Sequence, residues 1–204
     1  MSETIPEKET GRLEAFSDGV FAVAITLLAL ELKVPHLENE VTAQKLADAL
    51  LQLWPAYLAF ATSFFTVLLM WVHHHLIFKL VRRSDVRLQL ANGFLLMIIT
   101  MVPFTTAVVA EYWRTPAAAT ASAFYAGTFV LVAIAFYAVL LAGFRESALD
   151  PNASPATVAR LRRDYRWGPP LYLAATVAGP FSPLLSMTIC TGLWIFWALT
   201  TRDC

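Results

Sequence analysis

Six apolar stretches can be separated along the chain, and they predict an all-α protein crossing a membrane six times. The first is Phe16–Val34, closed by Pro35. The second is Trp54–Leu80, with Pro55 in the first turn, where a missing N–H is tolerated. The third is Val86–Trp113, and Pro103 inside it predicts a kink. The fourth is Ala121–Phe144. The fifth, Leu171–Val177, extends back through Arg166–Pro170, and the sixth is Leu184–Thr200, with the turn cluster Gly179–Pro180–Phe181–Ser182–Pro183 between them. A span needs about 20 residues, so the ends of the last two are the least defined. Glu38–Leu53, between the first two stretches, alternates Val41, Lys45 and Asp48 with Leu46, Ala49 and Leu50. That pattern fits an interfacial helix, a cap on the outer mouth, or a solvated linker.

Composition agrees with a membrane protein. Hydrophobic residues make up 58% and charged residues 15% of the 204, with mean hydropathy +0.60, against roughly 25% charged in soluble domains. The length predicts a single domain over residues 1–204. A formal net charge of zero and the absence of a basic–aromatic patch predict no nucleic-acid partner. The bilayer is the expected partner. The two cysteines, Cys190 and Cys204, have neither disulfide nor metal-ligand spacing. The N-terminus carries Glu3, Glu7, Lys8 and Glu9, unlike the basic start of a signal peptide, which predicts that the first stretch is a mature membrane helix.

The basic residues set the orientation. Lys8 and Arg12 precede the first stretch. Lys79, Arg82, Arg83 and Arg87 follow the second. Arg145, Arg160, Arg162, Arg163 and Arg166 follow the fourth, and Arg202 lies in the tail. Only Lys33, Lys45 and Arg114 fall on the opposite side. The positive-inside rule then predicts cytoplasmic termini and an even number of spans.

The candidate chemistry lies in the first stretch, RLEAFSDGVFAVAITLLALELKV over residues 12–34. A carboxylate in a membrane helix is costly and marks a functional candidate. At about 100° per residue, Phe16, Val20, Val23, Leu27 and Leu30 form one apolar stripe, with Gly19 and Thr26 on its flank. Asp18 points away from that stripe. Two readings stay open at this point. In one, the stripe is ordinary packing and Ser17 and Asp18 cap the helix start. In the other, several copies of the stripe line an axis, and Asp18 is held from behind by His73–His74–His75 and Trp71 of the second stretch and Asn92 of the third. Three successive histidines point in three directions and lack the i, i+4 spacing of helical ligand pairs, so no metal site is expected. A proton relay from Asp18 to His74 or His75, as in a proton-coupled transporter, is the alternative function. Ser17 and Asp18, adjacent on a helix, point apart and form no catalytic pair. No enzyme activity and no cofactor are expected.

RLEAFSDG resembles the Arg-x-x-x-Phe-Ser-Asp motif of the transmembrane protein 175 family, the endosomal and lysosomal potassium channels and their bacterial homologues. Arg12, Phe16, Ser17 and Asp18 match it, as do Trp71, His74, His75 and Phe78 in the pattern W-x-x-H-H-x-x-F, followed by Asn92 and Pro103–Phe104. The resemblance implies a potassium-permeable channel in a bacterial plasma membrane. It implies a homotetramer in which the first helix of each subunit lines the pore. It also implies a constriction at Val23, Leu27 and Leu30, with Thr26 as a polar layer. Arg12, Phe16, Ser17, Asp18, Trp71, His74, His75 and Asn92 would then hold the pore helix in place. The chain departs from the family in two places. Val23 is smaller than the residue common there, and His73 replaces a different polar residue. No TVGYG carbonyl filter is present, so this is not the usual potassium-channel fold. Modest selectivity for K+ over Na+ is expected, from partial dehydration at the neck and from Thr26 hydroxyls.

Overall fold

The computed structural model describes residues 10–37 and 41–200, with nothing assigned to the Thr200 side chain. Lys8, Arg202 and Cys204, used above for orientation and cysteine chemistry, lie outside the described residues. The first apolar stretch forms α1 (Gly11–Leu30), which ends as Glu31 and Leu32 bond back to Leu28 and Ala29. α2 (Ala43–Gln52) is the amphipathic linker helix. Its N-cap Thr42 accepts from the Lys45 N–H, and none of its residues is buried. α3 (Trp54–Lys79) starts with Pro55 in its first turn, as read from the sequence.

The third stretch is two helices rather than one kinked helix. α4 (Val86–Ile99) is capped by Asp85, whose carboxylate accepts from the Leu88 N–H at 2.9 Å, and α5 (Val102–Tyr112) follows after Thr100 and Met101. Pro103 has no N–H for the Ile99 carbonyl and its ring crowds that group, so the ladder stops and restarts. α6 (Ala118–Gly143) is the central helix, packed against α4, α5, α8 and α9. Its many Ala, Gly, Ser and Thr positions let neighbouring backbones approach closely. α7 (Pro155–Tyr165) carries Arg160, Arg162 and Arg163. α8 (Gly168–Ala178) continues from it past Pro169 and Pro170, and α9 (Pro183–Thr200) ends the bundle. The turn between α8 and α9 is tight: a Cβ on Gly179 would lie 2.9 Å from the Ala123 backbone nitrogen.

Among the described residues, four stretches are long and apolar enough to cross a membrane: Gly11–Leu30, Trp54–Lys79, Val86–Tyr112 and Ala118–Gly143. The expected fifth and sixth spans differ from these. α8 has 11 residues and α9 has 18, because prolines and the Gly179 turn cut the last third of the chain into shorter helices.

The buried side chains of all these helices except α2 join one hydrophobic core. Among the described residues, Ser186 Oγ on α9 is buried with no hydrogen-bond partner, whereas other polar groups inside the core are paired. Ser63 on α3 meets Thr106 on α5 at 2.7 Å and the Tyr125 hydroxyl on α6 at 2.9 Å, and Thr62 meets Thr191 on α9 at 3.2 Å. At one end of the bundle the connections after α3 and after α6 are stitched together. Val81 and Leu149 form an antiparallel bridge, Asp150 N–H donates to Leu80 O at 2.9 Å, Arg145 pairs with Asp85 at 2.9 Å, and Arg162 donates to the Phe144 carbonyl. The two basic segments of the sequence therefore lie on the same side.

Candidate pore helix and its brace

The side chains of α1 divide into two faces. Ser17, Phe21, Ala24 and Leu28, at helical spacing, are buried against the rest of the subunit. On the opposite side Val23 is 56% exposed, Leu27 39% and Leu30 73%, with Gly19, Ala22 and Thr26 also exposed. The buried face packs on α3, α4 and α5. The exposed face holds Phe16, Val23, Leu27 and Leu30 of the apolar stripe read from periodicity, whereas Val20 is half-buried against the core.

Ser17 anchors the buried face. Its hydroxyl donates to the Leu13 carbonyl at 2.7 Å and accepts from Asn92 Nδ2 on α4 at 2.9 Å. Asn92 Oδ1 in turn meets His74 Nε2 on α3 at 2.9 Å. With its amide nitrogen committed to Ser17, Asn92 offers its oxygen to the ring, so His74 Nε2 carries the proton in this arrangement. The His74 ring stacks on Phe78, with centroids 4.3 Å apart, and leans on Phe21 at 5.4 Å. Three helices are thus tied by one chain of bonds in which Ser17, Asn92 and His74 are all buried. Polar groups withdrawn from water or placed in lipid need such partners.

The expectation that Asp18 itself meets the histidine and the asparagine is corrected here. One residue further along the helix turns the carboxylate about 100° off the Ser17 direction, and Asp18 Oδ1 accepts from Trp71 Nε1 at 2.8 Å. Trp71 lies over His75, with rings 6.3 Å apart and nearly parallel, and all three side chains are exposed in the subunit. The motif therefore makes two separate ties, one buried through Ser17 and one exposed through Asp18. The structure does not bring Arg12 or Phe16 to either. Both are exposed, and Phe16 lies on the same side as Val23.

Thr26 is the polar residue on the exposed stripe. Its hydroxyl donates to the Val23 carbonyl at 2.9 Å. The donor is thereby engaged, and the oxygen lone pairs remain as acceptors on the open face. That is the chemistry a dehydrating cation needs.

His73 points to the far side of α3. Nδ1 meets the Tyr165 hydroxyl at 2.6 Å, and Nε2 meets the Trp197 carbonyl at 3.2 Å. A cavity of about 50 Å³ adjoins it among Thr66, Phe136, Tyr172 and Trp194, with no α1 residue in its wall. The sequence separates the three histidines by direction but does not say what each one meets. Sequence reasoning passed over the hydroxyl pairs of Thr62 and Ser63, and the run Ala61–Thr62–Ser63 in an apolar helix was the available signal. Among the described residues, no group of three His, Cys, Asp or Glu side chains is placed to hold a metal.

The chain matches the family described as endosomal/lysosomal potassium channel TMEM175 over residues 12–103, the region from α1 through α4 and into the first turn of α5. It is 48% identical over 203 residues to a potassium channel of Chamaesiphon minutus, covering 99% of this chain and 100% of that protein. It is 36% identical over 110 residues to the human endosomal/lysosomal proton channel TMEM175, covering 52% of this chain and 22% of the human one. The crystal structure of a lysosomal potassium-selective channel TMEM175 homolog from Chamaesiphon minutus superposes with a TM-score of 0.86 at 46% identity, over 95% of this chain and 98% of that one. Likeness over nearly the full length, with the brace residues inside the matched region, means that the chain belongs to the TMEM175 family, a family of ion channels and not of enzymes.

Proposed function

We propose that this chain is the subunit of a potassium-permeable cation channel. Four copies assemble around an axis lined by α1, each contributing six membrane segments, with α8 and α9 as the short fifth and sixth. Val23, Leu27 and Leu30 form an apolar constriction that holds back ions by excluding water, and conduction requires the ring to widen. Thr26 hydroxyl oxygens form an acceptor layer beside it and give modest preference for K+ over Na+. Ser17, Asn92, His74 and the Asp18–Trp71–His75 group hold α1 in place. The basic connections and both termini face the cytoplasm of a bacterial cell, which the stitching of the two basic segments supports.

The observation that carries this reading is the division of α1. Its one buried polar side chain, Ser17, is tied to two other helices, while an apolar stripe faces away from the subunit with a single acceptor-bearing hydroxyl beside it. Purified protein reconstituted into vesicles provides the test. Leu27→Ala and Val23→Ala are expected to change potassium flux or leak, and unaltered flux in both variants sinks the constriction. Unitary current steps in a planar bilayer are expected. Saturable uptake driven by a proton gradient, without such steps, would favour a proton-coupled transporter built on Asp18 and His74 or His75.

A further inference from the structure

We propose that the turn between α3 and α4, with Lys79, Arg82, Arg83 and Arg87, binds the headgroups of acidic phospholipids and so steadies the first turn of α4. The depth of the turn is the first argument. α3 has 26 residues and Val86–Tyr112 has 27. At 1.5 Å per residue α3 is about 40 Å long, against a hydrocarbon core of about 30 Å, and the α4–α5 stretch has one residue more. Only six residues, 80–85, join them. The turn therefore sits among headgroups rather than in bulk water. Trp167, exposed beside the α7–α8 junction with the Arg166 guanidinium 5.8 Å from its ring centre, has the character of an interfacial anchor.

Charge is the second argument. Segments 79–87 and 145–166 together hold nine basic and four acidic residues. The acids are largely committed: Asp85 pairs with Arg145 and caps α4, Asp164 pairs with Arg163, and Asp150 accepts from the Asn152 N–H. Glu146 is exposed on the neighbouring loop. Lys79, Arg83 and Arg87 are exposed, Arg82 is half-buried, and none of the four has a carboxylate partner among the described residues. Meanwhile the Arg82 and Arg83 N–H groups are both satisfied by Ala148 O, at 2.9 and 3.2 Å. The backbone is fixed, and the guanidinium donors are left for an external anion. A phosphodiester at headgroup depth is the anion that lies within reach.

The consequence for the pore helix rests on the channel reading above. Arg87 lies in the first turn of α4, and Asn92, which holds Ser17 and His74, follows about 7.5 Å further along. A phosphate held by Arg83 and Arg87 fixes the end of the helix that carries the brace.

The test uses the full chain and reads lipid binding separately from flux. Native mass spectrometry of protein exchanged into mixed micelles is expected to show phosphatidylglycerol retained over phosphatidylcholine. Retention should weaken about fivefold per charge removed in Arg83→Gln/Arg87→Gln. Arg83→Lys/Arg87→Lys should keep the preference, and Lys45→Gln on α2 should leave it unchanged. Potassium flux is expected to be higher in vesicles with one third phosphatidylglycerol than in phosphatidylcholine alone, and the double Gln variant should remove that difference. Equal retention of the two lipids, or undiminished preference in the double Gln variant, overturns the proposal. Absence of flux in every vesicle, with lipid preference intact, would count against the channel reading and leave the binding surface standing.

Discussion

Along the inward face of α1, Ser17, Phe21, Ala24 and Leu28 are closed in by the rest of the subunit, and the single polar side chain there is tied to Asn92 and through it to His74. Along the outward face, Val23, Leu27 and Leu30 stay exposed, and the single polar side chain, Thr26, keeps its oxygen available. Both faces are mostly apolar with one small hydroxyl, so composition does not separate them. What separates them is whether the hydroxyl's acceptor is used inside the subunit. Substitutions inward should therefore read out as stability, and substitutions outward as permeation.

The sharpest contrast uses neighbouring leucines. Leu28 is fully buried and Leu27 is not. Leu28→Ala leaves a cavity, for which a core Leu→Ala costs about 2–5 kcal/mol. Part of that figure is transfer from water and is absent in lipid, so about 2 kcal/mol is expected here. Leu27→Ala should cost no more than about 0.5 kcal/mol. Thermal unfolding in detergent measures both. Equal destabilisation by the two would erase the distinction between the faces.

Asn92→Leu comes next. It strips the acceptor from His74 and the donor from Ser17, leaving the buried His74 Nε2–H unpaired while Ser17 keeps its bond to the Leu13 carbonyl. Such a group costs about 1–3 kcal/mol in mutational series, and interhelical bonds within bilayers average about 0.6 kcal/mol. A loss of about 1–2 kcal/mol is expected, and Ser17→Ala added to it should contribute little more, because the bond is already gone. Full additivity in that double-mutant cycle would mean that the two side chains are not coupled.

Trp71→Phe removes the other tie. The ring remains over His75, the indole N–H is lost, and the exposed Asp18 carboxylate is free to be solvated by water. About 0.5–1 kcal/mol is the expected loss, less than at Asn92, because the group left behind is not buried. A larger loss than Asn92→Leu would make the exposed tie the main anchor.

Much of this was legible in the sequence, and the remainder was hidden for identifiable reasons. The position of the apolar stripe follows from helical periodicity, which is a local property. The importance of Ser17, Asp18, Trp71, His74 and Asn92 follows from polar groups in apolar stretches, also local. Their pairing is not local. Ser17 and Asn92 are 75 residues apart, and Asp18 and Trp71 are 53 apart. Which of two adjacent polar residues turns toward which helix depends on how the bundle packs. The same limit hid the Ser63–Thr106–Tyr125 contacts. Pro103 announced a bend, but whether the helix bends or stops depends on what its neighbours supply to the freed carbonyl. The last third was hardest, because Pro169, Pro170 and the Gly179–Pro183 turn divide an apolar region into helices shorter than a span.

The smallest effect on stability, and the most specific on permeation, belongs to Thr26. Thr26→Val keeps the shape and removes the oxygen. The lost bond is internal to α1 and exposed, so stability should move by no more than about 0.5 kcal/mol. If the outward faces of four copies line the ion path, as proposed, four acceptor oxygens vanish from one layer together, and the K+ over Na+ preference should fall while flux persists. Thr26→Ser keeps the oxygen and should keep the preference, which separates loss of the acceptor from a change of packing. Reversal potentials under biionic conditions give the ratio directly. An unchanged ratio in Thr26→Val would assign selectivity to dehydration at the Val23, Leu27 and Leu30 ring alone, and the outward face would then act by shape without any polar contribution.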